Sequence, residues 1–387
     1  MMKLLSGVLA LFFALFFAPG PAFSLDFGLL GEQKIEAEKG SFSYSPVFTP
    51  WFSWDSGRGL SLYLSGALSL TYRRYDNGAG SGGGRSGGWE KPVILPELSR
   101  FAARYRPNQH VLVEAGRSAY TDTLGFAASG LFDGLHAEAD FSFGRISAGA
   151  YYTGFIYWNG PGAYFASSRV LAALRWEAPL LEFHTLSVEA LAQFDLNDSG
   201  GFQPDEARLH SQYGEIQAAL FPAGRLGLNI GALVETMENG AGEFAAALGG
   251  LVRLKAELPG SLNDSLTTAV KFTSGNWNDT FAAFKPIISA AQGAVFTGPL
   301  SGLAVVSVDY AARFGRTLFL ENALRYFART WDDPAAPGAL YGGELWGSLA
   351  WQPLDDLRLS LGGGAFFPGL GNIESSSDPD GKPLWKL

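Results

Sequence analysis

The chain has 387 residues, a formal net charge of −9 at pH 7 and no cysteine. The acidic balance argues against nucleic acid as a partner, and the absence of cysteine excludes a fold held together by disulfides. Charged residues make up only 17% of the chain, against about 25% in a typical soluble protein. This composition, with 50 glycines and 14% aromatic residues, is unusual for a secreted soluble enzyme.

Residues 1–24 have the pattern of a secretory signal peptide. Lys3 supplies a positive charge, Leu4 to Ala18 form an apolar stretch, and Ala22 and Ser24 are small residues just before a cleavage site. The apolar stretch is shorter than the roughly 20 residues that a spanning helix needs. The sequence therefore predicts export, with residues 25–387 forming one domain.

The stretch Gly59 to Tyr72 reads GLSLYLSGALSLTY and alternates with a period of two. Leucines take one parity, whereas Ser, Tyr and Thr take most of the other. Strands in soluble sheets usually run for about 5 to 6 residues, and this alternation holds for much longer. A long strand with one apolar face is typical of a transmembrane barrel, in which the apolar parity contacts lipid and the polar parity faces the lumen.

The pattern recurs along the chain, and sixteen segments show it clearly. They span residues 41–54, 59–72, 94–106, 110–119, 135–143, 146–157, 169–178, 186–196, 210–221, 226–237, 243–258, 264–274, 300–313, 317–329, 341–352 and 357–367. A weaker strand is expected within 27–39, and 382–387 reads as the start of a last strand that is truncated or poorly closed. Together they predict 18 strands, within a range of 14 to 18.

Two kinds of connection alternate between these segments. Short turns such as Pro107-Asn108 and Gly315-Arg316 are followed by long connections such as Asp76 to Pro92 and Gly275 to Pro299. This alternation indicates an all-β protein, a single antiparallel transmembrane β-barrel with short periplasmic turns and long extracellular loops in a bacterial outer membrane. The two long connections named here are expected to fold inward and narrow the lumen.

Three segments resemble known barrels. GRSAYTDTLGFAASGLFDG (Gly116 to Gly134) and GRISAGAYYTGFIYW (Gly144 to Trp158) are similar to segments of large barrel proteins in spirochaete outer membranes. GGGAFFPGLGN (Gly362 to Asn372) resembles the end of alginate-export porins. The resemblance implies a porin-like or export-like channel. Alginate-export porins have an arginine-rich lumen, whereas the polar parity here mixes acids and bases.

The charged residues on the polar parity fall into two groups along the order of the strands, one acidic and one basic. An acidic arc of pore-lining residues is predicted from Glu138, Asp140, Glu189, Asp195, Glu215 and Glu235. A basic arc is predicted from Arg73, Arg104, Arg253, Lys255, Lys271, Arg325 and Arg329. Opposite arcs would set a field across the channel, unless the charges pair between neighbouring strands and only stabilise the wall.

One connection matches a calcium-loop template. DLNDSGGFQPDE places Asp195, Asn197, Ser199 and Glu206 at positions 1, 3, 5 and 12, with Gly200 at position 6. The flanking helices of that motif are missing and Pro204 interrupts the loop, so an ordinary polar surface loop is the alternative. Calcium is the one cofactor that the sequence suggests.

No catalytic constellation stands out. The four histidines, His110, His136, His184 and His210, lack the spacing of paired zinc ligands and lie near no nucleophile elbow. We therefore expect a channel rather than an enzyme, one that passes small polar solutes by passive diffusion or export and contacts outer-membrane lipid. The alternatives are an adhesin-like barrel whose loops bind an external partner and a transporter of hydrophobic compounds. The sequence leaves the oligomeric state open.

Overall fold

A computed structural model describes residues 24–38, 41–75, 90–153, 156–158, 163–165, 169–196, 209–239, 243–260, 262–276, 282–288, 291–331, 338–354, 357–372 and 383–386. These residues are dominated by β-strands. Their bounds are β1 Ser24–Glu38, β2 Ser41–Asp55, β3 Leu60–Tyr75, β4 Val93–Asn108, β5 Val111–Thr121, β6 Ser129–Phe141, β7 Gly144–Tyr152, β8 Ile156–Trp158, β9 Ala163–Phe165, β10 Arg169–Leu181, β11 His184–Asp195, β12 Leu209–Ala223, β13 Leu226–Asn239, β14 Phe244–Glu257, β15 Ser265–Thr273, β16 Leu303–Phe314, β17 Leu318–Arg329, β18 Leu340–Leu354, β19 Leu357–Phe367 and β20 Leu384–Lys386. Within the described ranges, no helix is long and apolar enough to cross a membrane.

The strands form one closed antiparallel sheet of 18 strands, and β8 and β9 make a separate hairpin. Each barrel strand pairs with the next along the chain, with β7 pairing to β10 across the β8–β9 hairpin. The last strand, β20, pairs with β19 and reaches β1 through Glu38↔Lys386. Lys386 also lies 3.3 Å from Glu36 at this seam. The ring confirms the predicted antiparallel barrel of 18 strands.

The two faces of the wall are oriented as the alternation predicts. On β3, Leu64 and Leu68 are 45% and 41% exposed, whereas Ser65 is only 5% exposed. On β11, Val188 is exposed and its neighbour Glu189 is buried. The polar parity therefore faces the inside of the barrel, and the apolar parity forms the outer surface.

The connection between β5 and β6 is shorter than the sequence suggests. The predicted strands 110–119 and 135–143 leave a long connection between them, yet β5 runs to Thr121 and β6 begins at Ser129. Pairing continues along both arms, up to Thr121↔Ser129. Only residues 122–128 are left to connect the strands, and they point into the barrel.

The main apolar core lies inside the barrel. It joins wall residues such as Leu171, Leu191 and Leu233 to residues of the inward connections, including Phe126 and Phe284. A second cluster of Leu303, Val305, Phe327 and Phe366 lies further round the wall. Both clusters position connections that narrow the lumen.

Candidate functional site: a lumen narrowed by inward connections

Two connections fold into the lumen. The first, which we call the β5–β6 tip, comprises residues 122–128, and the second is the β15–β16 connection, described over 274–276, 282–288 and 291–302. In the tip, Leu124 lies beside Gly231 of β13, and Phe126 lies beside Gly249 of β14. The tip therefore crosses the lumen from its own strands to the wall of β13 and β14.

Asp122 gives the tip its compact shape. Its carboxylate accepts hydrogen bonds from the backbone N–H groups of Phe126 at 3.0 Å, Ala127 at 3.3 Å and Ala128 at 2.7 Å. The Asp122 N–H donates to the carbonyl oxygen of Ala128 at 2.9 Å. Because buried backbone groups need partners, this side chain allows a short apolar loop to leave the wall.

Two wall carboxylates hold the tip in place. Glu189 accepts hydrogen bonds from the Thr123 N–H at 2.6 Å and from the Tyr120 hydroxyl, and Arg175 donates to it at 2.8 Å. Glu215 accepts the N–H of Leu124 at 3.0 Å. Glu189 and Glu215 lie directly opposite in register, an arrangement that is unfavourable for like charges. The arginine and the tip N–H groups offset that repulsion.

A third carboxylate fixes the β15–β16 connection beside the tip. Glu235 accepts the N–H of Lys285 at 2.9 Å, and the Tyr213 hydroxyl donates to the carbonyl oxygen of Lys285 at 2.6 Å. The N–H of Ile287 donates to the carbonyl oxygen of Ala127 at 2.7 Å. The two connections therefore form one layer across the lumen between β5 and β14.

A fourth carboxylate, Glu344 on β18, fixes the far end of the β15–β16 connection. It accepts the N–H groups of Ala294, Val295 and Phe296 at 2.9, 2.8 and 2.7 Å. Arg325 donates to it at 2.9 Å. The ring of Phe296 packs in turn on Phe327 and Phe366. This connection was expected to narrow the lumen, and its described part does so. The other connection expected to fold inward, Asp76 to Pro92, lies mostly outside the described residues.

All six residues of the predicted acidic arc lie on inward positions, but in different settings. Glu189, Asp195, Glu215 and Glu235 are buried, whereas Glu138 and Asp140 keep partial exposure. Glu138 is 2.9 Å from His136, Asp140 is 2.7 Å from Arg145, and Asp195 is 3.9 Å from Arg169. Three of the six are the carboxylates that hold the inward connections, so most of this arc contacts protein donors.

The predicted basic arc is also partly paired. Arg104 pairs with Glu114, Lys255 is 4.0 Å from Glu257, and Arg325 lies between Glu344 and Asp309. Arg329 donates to the carbonyl oxygen of Gly338 and lies over the ring of Trp331, and Arg73 is exposed at the loop end of β3. Among the described residues, Arg253 and Lys271 have no carboxylate within salt-bridge distance.

A recess of about 410 Å³ opens beside Arg325. It is lined by the β15–β16 connection from Ala291 to Ala294 and by Asp309, Glu321, Arg325 and Trp346. Register places Arg325 opposite Ser307, Ser307 opposite Ala269, and Ala269 opposite Arg253. Arg325 and Arg253 therefore share one row of the inner wall. The recess offers charges of both signs beside an aromatic ring.

A hydroxyl-rich sector lies on the other side of the barrel. Inward positions of β2 and β3 carry Ser and Thr, among them Ser45, whose hydroxyl donates to Thr71 at 3.2 Å. Arg100 lies over the ring of Tyr63 on the same face. Within the described ranges, neither inward connection is hydrogen-bonded to these strands. This sector keeps the polar inner surface that a water-filled path requires.

Several functional positions were missed by sequence reasoning. Glu344 lies on the inward parity of β18, next to the outward Leu345, so the alternation itself could have found it. Asp122 could not be found in this way because it belongs to an irregular loop. The calcium-loop residues Asn197, Ser199 and Glu206 lie outside the described residues. In the described part of the chain, no group of three or more carboxylates or histidines could hold a metal ion.

The closed ring, the outward apolar face and the inward connections define a transmembrane β-barrel of the outer-membrane porin type. No protein-family model matches the chain, and no curated protein matches it. Solved porins of Pseudomonas aeruginosa are similar in fold: OpdK, crystallised with vanillate, has a TM-score of 0.59 at 12% identity over 95% of this chain and 97% of its own. OccK5 (OpdH) has a TM-score of 0.58 at 11% identity over 95% and 97%. The outer membrane protein OprD has 0.57 at 12% over 96% and 94%.

These matches support the outer-membrane porin architecture that the sequence predicts. At 11–13% identity they concern the fold alone. The finer resemblance to spirochaete barrels and alginate-export porins is not supported by them and stays a prediction from the quoted segments.

Proposed function

We propose that the chain is an outer-membrane channel for the passive diffusion of small polar solutes. The observation that carries this proposal is the fixing of the inward connections by four wall carboxylates, Glu189, Glu215, Glu235 and Glu344. Barrels of 16 to 18 strands enclose an aqueous channel. A lumen of this width that is narrowed by fixed protein segments admits small solutes and excludes large ones.

The charges that remain suggest the kind of solute. Arg253 on β14 and Lys271 on β15 face the lumen, and among the described residues no carboxylate lies within salt-bridge distance of either. Cations without partners in a narrow path with a low-dielectric wall attract anions. Small polar solutes that carry a carboxylate are therefore favoured. The crystal structure of OpdK, a barrel of similar fold, contains vanillate, and this supports the choice.

Reconstitution into planar lipid bilayers tests the proposal directly. The purified protein should give stepwise increases in conductance, and liposomes that contain it should swell in small polar solutes but not in large ones. Protein unfolded by heat before reconstitution is the control. A folded, inserted barrel without conductance would favour an anchor whose loops bind an external partner. Swelling in apolar solutes alone would favour a transporter of hydrophobic compounds.

We also propose a channel without catalysis, and calcium as the one candidate ion, at the loop from Asp195 to Glu206. The support for calcium is the order of oxygen-bearing residues in that loop. The single described ligand candidate, Asp195, lies 3.9 Å from Arg169, so an ion would compete with a guanidinium for this carboxylate.

A further inference from the structure

The β5–β6 hairpin leaves the barrel wall partway along its length. Pairing of β4 with β5 ends at Phe101↔Arg117, although β5 continues to Thr121. Pairing of β6 with β7 ends at Asp133↔Tyr152, although β6 begins at Ser129. In the described structure, residues 118–121 and 129–132 therefore pair only with each other. The end of this hairpin is not part of the continuous ladder of the wall.

Two glycines lie in the row next to the last pairs that join the hairpin to the wall. Gly116 and Gly134 are opposite each other in register. Gly116 has φ +127, and a Cβ there would overlap the carbonyl group of Phe101. A Cβ on Gly134 would overlap the carbonyl oxygen of Ala150. Because glycine adopts this backbone conformation without a steric cost, the row can bend where side-chain-bearing residues would be strained.

On the outer face, an ion pair stabilises the next row toward the tip. Arg117 and Asp133 are opposite in register, and their side chains meet in two hydrogen bonds of 2.8 and 2.6 Å. Arg117 also donates at 2.9 Å to the carbonyl oxygen of Leu98, which lies on β4 beyond the end of its pairing with β5. Charged residues on the lipid face of a barrel are destabilising. Their place here is explained by the need to tie the base of the hairpin to the wall.

The end of the hairpin is held in the lumen by a small set of contacts. These are the hydrogen bonds to Glu189 and Glu215, the bond from Arg175 to the carbonyl oxygen of Thr121, the bonds from Ile287 and Ile288 to Ala127, and the packing of Leu124 and its apolar neighbours. None of them belongs to the wall ladder. The tip can therefore undock without the loss of a single hydrogen bond between wall strands.

Building on the proposed channel function, we propose that the β5–β6 tip is a hinged gate that turns where the hairpin leaves the wall, just beyond the Arg117–Asp133 row. Docked against β13 and β14, the tip narrows the lumen. Undocked, it opens a wider path, while Arg117 and Asp133 keep the base of the hairpin fixed to β4. The channel then has at least two conductance levels, and the time spent at each depends on the tip contacts.

A disulfide between the tip and the opposite wall tests this inference. The side chain of Leu124 lies against Gly231, and the chain contains no cysteine, so Leu124→Cys with Gly231→Cys introduces the only thiol pair. In planar bilayers, oxidation of this variant should abolish the higher conductance level, and reduction should restore it. The matched control is Val113→Cys with Ala137→Cys, which joins β5 and β6 in register below the hinge and should conduct alike in both redox states.

A second variant needs no cross-link. Leu124→Ser weakens the apolar docking of the tip and should raise the fraction of time at the higher level at least tenfold. Identical levels and dwell times in the cross-linked and reduced protein, or in Leu124→Ser and the unaltered protein, would overturn the gate while leaving the channel intact. A folded protein that never conducts would instead overturn the proposed function, on which the gate rests.

Discussion

Arg325 and Glu344 face each other in register on β17 and β18, and their side chains are 2.9 Å apart. The Glu344 side chain is fully buried, whereas that of Arg325 is 23% exposed. The carboxylate also accepts three backbone N–H groups from the β15–β16 connection. One buried charge thus joins two wall strands to the segment that narrows the lumen.

Substitution of Glu344 by Gln should loosen this connection. The amide keeps the shape of the side chain but cannot satisfy three N–H donors and a guanidinium as a carboxylate does. Loss of a hydrogen bond to a charged group costs about 1.5–3 kcal/mol, and we expect a decrease of that size in the free energy of unfolding. Denaturant titration of the folded barrel in detergent or lipid measures it.

Glu321→Gln is the matched control for this measurement. Glu321 lies on the inner face of β17, as Arg325 does. It is exposed, and its contact with the Ser348 hydroxyl is long, at 3.5 Å. The substitution should leave stability nearly unchanged. Equal effects of the two substitutions would contradict the role assigned to Glu344.

The orientation of β3 gives a second prediction. Arginine at Leu64 or Leu68 would place a charge on the lipid face, which costs about 2 to 4 kcal/mol near the middle of the membrane. Arginine at Ala67 would face the lumen instead, opposite Glu97 in register, and should be tolerated. Refolding titrations of the variants compare the costs directly, and similar losses at Leu68 and Ala67 would reverse the assignment of the two faces.

Much of the barrel could be predicted because the wall has lipid on one side and the lumen on the other, and this imposes a strict two-residue alternation on every strand. Each wall residue faces either lipid or lumen, so the alternation of Leu60 to Tyr72 marks both the strand and its orientation. Because the turns fix the direction of each strand, an even number of strands is expected. The strand ends agree to within a few residues wherever the alternation continues to the turn.

The inward connections could be predicted only in part. Their positions depend on contacts between residues far apart in the chain, such as Leu124 with Glu215 and Lys285 with Glu235. A local pattern carries no information about such contacts. For the same reason, the sequence indicates that Glu189 and Glu215 face inward but not that the β5–β6 tip occupies their hydrogen-bonding capacity. The predicted role of these residues in a transverse field therefore stays a prediction.

The calcium loop is tested by proteolysis. If Asp195, Asn197, Ser199 and Glu206 bind calcium, the ion should protect the chain after Asn197 from cleavage. Glu206→Gln should remove the protection because the template assigns this position a bidentate carboxylate. Cleavage rates that do not change when calcium is chelated would identify an ordinary surface loop.

The last prediction concerns the charge selectivity of the lumen. Glu189, Glu215 and Glu235 are buried and accept hydrogen bonds from the protein. In the described structure, neither Arg253 nor Lys271 has a carboxylate within salt-bridge distance. The unpaired cations should therefore dominate the field that a solute meets, and the channel should prefer anions. Replacement of Arg253 and Lys271 by Gln should shift the reversal potential in a salt gradient toward cation preference.

Low ionic strength gives this experiment its greatest sensitivity. The Debye length, over which an exposed charge acts before salt screens it, is about 10 Å at 0.1 M salt and longer at lower concentrations. Val252→Thr is the matched control, since Val252 lies on β14 next to Arg253 but faces outward and is 48% exposed. It should leave the reversal potential unchanged, because it alters neither the charge nor the shape of the lumen. A double variant with the reversal potential of the unaltered channel would show that Arg253 and Lys271 do not set its selectivity. The basic arc would then serve, like the buried carboxylates opposite, to stabilise the wall.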